Sequence, residues 1–169
     1  MHEVALTTER LVMRPLTPAY LSDMLELSSD PQVTRFLLPM DEAGHLRRLR
    51  ESEAMWETRG YGRVAIHDRA RGRFPGRPAL LAAVRQGRGG VVLRADVQGC
   101  GFATEAGGAW LRWGLTHLDV PYLTACIAPE NQASVSVAQR LGMSALRTDT
   151  FHGREVLVFA LHRGATDGD

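Results

Sequence analysis

The chain has 169 residues, 44% of them hydrophobic, which is enough for one globular domain built on one core. Its 20 basic and 19 acidic residues leave a net charge of +1, which gives no support to a general nucleic-acid or membrane-surface binder. No apolar run has the length of a membrane span, and Met1 to Arg10 lacks the pattern of a signal peptide, so a cytoplasmic location is expected. Every basic residue is arginine, and the absence of lysine excludes a Walker-type phosphate loop. Two cysteines, Cys100 and Cys126, are too few for a disulfide framework, and no Cys/His cluster has zinc-ligand spacing. No metal is expected.

In chain order, Glu9 to Leu16 alternates as a first strand closed by Pro15 and Pro18. Pro18 to Ser28 carries apolar residues at helical spacing, Asp30-Pro31 starts a short turn or helix, and Asp41 to Arg59 predicts another helix ended by Gly60. Tyr61 to His67 is the next strand, and Gly72 is expected to open a further one. Val91-Val92-Leu93 predicts a short strand, then a turn at Asp96 to Gly101 and a helix over Phe102 to Thr116. On that helix Trp110 and Trp113 share a face and should be at least half buried. Tyr122 to Ile127 lacks polar alternation and is expected to be a central strand. Asn131 to Leu141 predicts a helix stopped by Gly142, and Met143 to Thr150 with Glu155 to Leu161 a hairpin around His152-Gly153. The expected domain is 1–163, with 164–169 a disordered tail.

The segment with chemical content is Gln98-Gly99-Cys100-Gly101-Phe102-Ala103. A strand, a glycine turn and a helix form an arrangement that binds phosphates. Glycine lets the backbone approach closely, the first helical amides are unpaired, and the helix dipole adds positive potential. On spacing alone, an ordinary glycine turn is an equal reading.

The neighbouring residues resemble one family. Gln98, Gly101 and Ala103 fill Gln/Arg-x-x-Gly-x-Gly/Ala, the coenzyme A pyrophosphate loop of the GNAT superfamily of N-acetyltransferases. Pro129-Glu130-Asn131-Gln132-Ala133-Ser134 and Arg140-Leu141-Gly142-Met143 resemble its second signature helix. Thr8-Glu9-Arg10-Leu11-Val12-Met13-Arg14-Pro15-Leu16 is similar to the branch of the ribosomal-protein alanine N-acetyltransferases.

The resemblance implies an α/β fold. A mixed, mostly antiparallel sheet flanked by helices splays between its fourth and fifth strands, and acetyl-CoA sits in the opening. It implies pantetheine pairing with the fourth strand at Val91, Leu93 and Ala95. It also implies pyrophosphate on Gln98, Gly99, Cys100, Gly101, Phe102, Ala103 and Thr104, and a pantetheine hydrogen bond from Asn131. Asn131 also suits a helix N-cap, and both roles can hold at once. The implied reaction is direct attack of a primary amine, on a small molecule or a protein N-terminus, at the thioester of acetyl-CoA. Ser134 is the matching candidate to protonate the departing thiolate, and a place in the first helical turn is an equal reading of it. His117 and His152 read as surface residues. A second copy of the chain is a candidate partner.

Residues 77–90 depart from the family's pattern, which places a glutamate-alternating strand there; this segment has no acidic residue. With Pro78, Gly87, Gly89 and Gly90, it predicts an interrupted strand and a fourth strand starting only near Val91. The competing function is therefore a degenerate GNAT fold that binds coenzyme A without efficient turnover. One permitted codon set, shifted by a base, would encode an alternating strand with a glutamate. A frame-shifted reading thus stands beside genuine divergence, and the gene sequence decides between them.

Overall fold

A computed structural model describes residues 6–70, 80–85, 88–93 and 99–164. The chain opens with a two-residue strand β1 (Leu6–Thr7) and the strand β2 (Leu11–Pro15). After a 3-10 turn at Pro18–Tyr20 come α1 (Leu21–Ser29), α2 (Pro31–Thr34) and α3 (Glu42–Arg59). The Asp41 carboxylate accepts from the Gly44 amide to cap α3, and Gly60 ends it at φ +69°. Strands β3 (Arg63–Asp68), β4 (Leu80–Arg85) and β5 (Arg88–Leu93) follow, then α4 (Phe102–His117) and β6 (Tyr122–Ile127). The chain finishes with α5 (Gln132–Arg140), β7 (Ser144–Phe151) and β8 (Arg154–His162).

Among the described residues, eight strands join one sheet in the order β1-β2-β3-β4-β5-β6-β8-β7. Neighbours are antiparallel except β5 and β6, which are parallel and pair only at Arg88↔Thr124 and Gly89↔Ala125. Beyond those two positions the strands part, with β4 still paired along β5 as far as Leu93. Because β1 is an added two-residue strand, β5 and β6 are the fourth and fifth strands of the expected sheet. The splay lies where the resemblance puts it.

The expected late start of the strand at Val91 is incorrect. β5 begins at Arg88 and pairs with β4 at six positions, from Leu80↔Leu93 to Arg85↔Arg88. A glycine in a strand costs only about 0.5–1 kcal/mol. The continuous β3-β4-β5 ladder supplies enough pairing to outweigh Gly89 and Gly90. The expected strand opening at Gly72, the contribution of Pro78 and the tail from Ala165 onward lie outside the described residues.

Strand β3 shows how the sheet buries both faces. Val64 and Ile66 join a large cluster with Leu11, Met13, Phe102, Ala106, Trp110, Leu123 and Phe159, whereas Ala65 between them joins Leu16, Met24 and Leu49. The first cluster holds α4 to the sheet, and the second holds α1 and α3. Trp110 is buried and Trp113 partly buried against the larger cluster, as their shared face predicts. Trp56, near the end of α3, meets Trp110 edge-on at 6.4 Å between ring centroids and donates to the Arg63 carbonyl. Close approach fixes α4 further. A Cβ on Gly114 would stand 2.7 Å from Leu123 Cδ1, and one on Gly107 2.9 Å from Leu141 Cδ1. At the far end, His152 and Gly153 both have positive φ, the conformation of a two-residue turn whose twist matches its hairpin strands.

Candidate active site

Strands β5 and β6 are parallel neighbours, and each is followed by a helix. Both helices therefore start beyond the same edge of the sheet, at the mouth of the splay. In open sheets this is where ligands bind, because helix N-termini converge on a gap no strand fills. Among the described residues, the β6-facing edge of β5 from Gly90 to Leu93 is open to another extended chain. Val91 and Leu93 lie on this edge. Ala95 and Gln98 lie outside the described residues.

The turn into α4 is built for close backbone approach. Gly99 and Gly101 both have φ +79°, a left-handed conformation that glycine adopts without steric cost. Gly101 occupies the N-cap position of α4, and no described side chain caps this helix. Helices α3 and α5 are capped by Asp41 and Asn131, whereas α1, like α4, has no side-chain cap. A 16-residue helix thus begins with first-turn amides that no side-chain cap satisfies and with the positive end of its dipole exposed, an arrangement that accepts an anion. Cys100 is exposed in the turn, and Ala103 and Thr104 are partly buried. Phe102 is buried in the core, so it can offer a ligand only its backbone.

Asn131 accepts from the Ser134 amide at 3.2 Å, so its oxygen serves as a cap and its amide nitrogen remains the group available for another role. Ser134 is partly buried in the first turn of α5, and its backbone nitrogen, not its hydroxyl, meets Asn131. Helices α4 and α5 pack side by side through Leu141, which lies against Gly107 and Gly108.

Three residues given no role by the sequence reading attach the first strands to this turn. The Thr8 hydroxyl donates to Glu105 Oε1 at 2.5 Å, the Arg10 amide to the same oxygen at 2.9 Å, and Arg10 Nε to Oε2 at 2.7 Å. Arg10 Nη1 donates to the Cys100 carbonyl at 2.9 Å. Burial acts to raise the Glu105 pKa, but the Thr8 and Arg10 hydrogen bonds and the Arg10 charge outweigh it, leaving the carboxyl below its ordinary value. The sequence signal was the Thr-x-Arg spacing before β2 together with an acid early in α4. Nothing local links positions so far apart in the chain.

The family model described as Acetyltransferase (GNAT) domain matches residues 10–144. No curated protein sequence matches at a significant level. Among solved structures, an acetyltransferase from Agrobacterium tumefaciens is 25% identical with a TM-score of 0.79, covering 93% of each chain. The ribosomal L7/L12 alpha-N-protein acetyltransferase RimL, solved with coenzyme A, is 16% identical with a TM-score of 0.77, over 96% of this chain and 99% of that one. A ribosomal-protein-S5-alanine acetyltransferase from Vibrio fischeri is 12% identical with a TM-score of 0.72, over 94% of this chain and 96% of that one. A sheet parted between β5 and β6, a glycine turn at its mouth and a family match spanning most of the sequence agree: the chain belongs to the GNAT family of acyl-CoA-dependent N-acyltransferases.

Proposed function

We propose that this chain moves the acetyl group of acetyl-CoA to a primary amine, on a small molecule or a protein N-terminus, by direct attack. The observation that carries the reading is the side-chain-uncapped start of α4 behind two left-handed glycines, at the mouth of the splay. Amides from Gly99 to Thr104 would hold the pyrophosphate, and a side chain at Gly101 would be strained at φ +79° and would stand against Arg10 Nη2. The open edge of β5 at Val91 and Leu93 would pair with pantetheine as an added strand, with Ala95 continuing the contact and Gln98 belonging to the pyrophosphate loop. The Asn131 amide nitrogen, left over from capping, would donate to the same arm.

The thioester supplies an activated acetyl group. The chain's part is to orient it, keep water from it and manage two protons. Ser134 would give its hydroxyl proton to the departing sulfur and regain the proton that the attacking nitrogen sheds as the amide forms. The incoming amine must arrive neutral or lose a proton to a base. The exposed apolar side chains Leu37 and Leu38 before α3, and Phe151 at the terminal hairpin, support an acceptor surface at those elements.

A second reading has its own observation: residues 77–90 contain no carboxylate, so the family's usual base on the fourth strand is absent. A chain that binds coenzyme A without efficient turnover would fit. Titration with acetyl-CoA, followed by thiol release with a panel of small amines and N-terminal peptides, separates the readings. Binding with release supports acetyl transfer, binding without release on any acceptor supports the second reading, and no binding contradicts both.

A further inference from the structure

The chain that precedes β2 makes a set of contacts out of proportion to its length. Arg10 touches three consecutive residues of the glycine turn. Nη1 donates to the Cys100 carbonyl at 2.9 Å, Nη2 lies 3.4 Å from where a Cβ on Gly101 would stand, and the guanidinium sits 4.8 Å above the Phe102 ring. Its Nε is held by Glu105, whose other oxygen is taken by the Thr8 hydroxyl and the Arg10 amide. The Thr8 hydroxyl also accepts from the Leu11 amide, so the brace is anchored at the start of β2. The guanidinium is thus fixed from both sides, although the Arg10 side chain is 46% exposed.

Such a brace has a directional consequence. A peptide unit is planar and trans, so its carbonyl and its N–H point in opposite directions. Glycine lets the peptide between Cys100 and Gly101 rotate at little cost, because a residue with φ +79° is as acceptable there as one with negative φ. Tying the Cys100 oxygen to Arg10 turns the Gly101 N–H away from Arg10. It also keeps a carbonyl, with its partial negative charge, from turning into a site meant for an anion.

We propose that Arg10, held by Glu105 and Thr8, is a positioning residue for the coenzyme: it fixes the Cys100–Gly101 peptide so that the turn presents an N–H rather than a carbonyl to the pyrophosphate. The proposal rests on the coenzyme reading above. It makes the opening Thr8-Glu9-Arg10 segment part of the binding machinery rather than only the start of a strand.

The test compares two thioesters: acetyl-CoA, and acetyl-pantetheine, which lacks the pyrophosphate and adenosine. Arg10→Gln should raise KM for acetyl-CoA about tenfold, since a charged donor to a carbonyl is lost, with kcat within about twofold. It should leave kcat/KM for acetyl-pantetheine unchanged. Arg10→Lys should recover part of the affinity, because an ammonium can reach Glu105 or the Cys100 oxygen but cannot serve both as a planar fork does. If Arg10→Gln does not fold, Arg10→Lys carries the same comparison, with a smaller loss confined to acetyl-CoA. Equal losses on both thioesters would make Arg10 a purely structural brace and overturn the proposal. Unchanged affinity for acetyl-CoA would overturn it alone, whereas failure of the unsubstituted chain to bind acetyl-CoA would overturn the coenzyme reading as well.

Discussion

Glu105→Gln tests the join between the opening strands and α4. The carboxylate accepts three hydrogen bonds, at 2.5, 2.9 and 2.7 Å, and its side chain is 17% exposed. Glutamine keeps one carbonyl oxygen, which can still serve the Thr8 hydroxyl and the Arg10 amide. Its NH2 would meet Arg10 Nε donor to donor, so that bond is lost and the other two become bonds to a neutral acceptor. A bond to a charged group contributes about 1.5–3 kcal/mol, and the half-exposure of Arg10 argues for the lower part of that range. The net loss should be about 2 kcal/mol, read from urea unfolding of the two proteins at pH 7. The pH dependence has a definite sign. The folded Glu105 pKa is depressed, so its contribution is full above the unfolded value and disappears as pH falls through the folded one. The difference between the proteins should therefore be constant near neutrality and shrink below about pH 4, the ordinary carboxylate range. A difference under ~0.5 kcal/mol at pH 7, a surface-pair value, or one that persists undiminished after the carboxyl is protonated, would refute this account.

Three further substitutions probe the site. Gly101→Val should weaken acetyl-CoA binding at least about tenfold, because a side chain at φ +79° is strained by ~1–2 kcal/mol and its Cβ would stand 3.4 Å from Arg10 Nη2, crowding the arginine that holds the turn; unchanged affinity in a folded variant, measured by calorimetric titration, would remove the loop assignment. Asn131→Ala should cost about 1 kcal/mol of stability through the lost α5 cap. Asn131→Asp should keep that stability in urea unfolding but bind acetyl-CoA more weakly, and equal affinity would leave Asn131 as a cap alone. Ser134→Ala should lower kcat by ~10²-fold if its hydroxyl is the proton donor, with KM and stability little changed; steady-state kinetics with kcat unaltered would exclude the serine from the chemistry.

The elements that the sequence made legible are those with local signals. Helix α4 follows from the glycines before it and the apolar spacing within it. The His152-Gly153 turn follows from residue types that tolerate positive φ, and β6 from its lack of polar alternation. The sequence places the beginning of β5 too late because Pro78, Gly87, Gly89 and Gly90 count against a strand by local propensity, while the ladders on β4 and β3 that decide the matter are non-local. The same reason hid the Thr8–Arg10–Glu105 join, whose partners lie 95 to 97 positions apart. Neither periodicity nor motif spacing reports such a contact; only the fold brings an arginine before β2 against a carbonyl after β5. For Asn131 the sequence offered two roles, and the cap is the one for which the geometry shows a hydrogen bond.

The central claim is that the glycine turn and the open edge of β5 together receive acetyl-CoA. Amide hydrogen exchange, with and without acetyl-CoA, tests it most directly because it reads the backbone groups assigned to binding. The account predicts slowed exchange concentrated in Gly99 to Thr104 and along Gly90 to Leu93, with β7 unchanged. Binding that protects other amides and leaves these two segments at their free rates would contradict it.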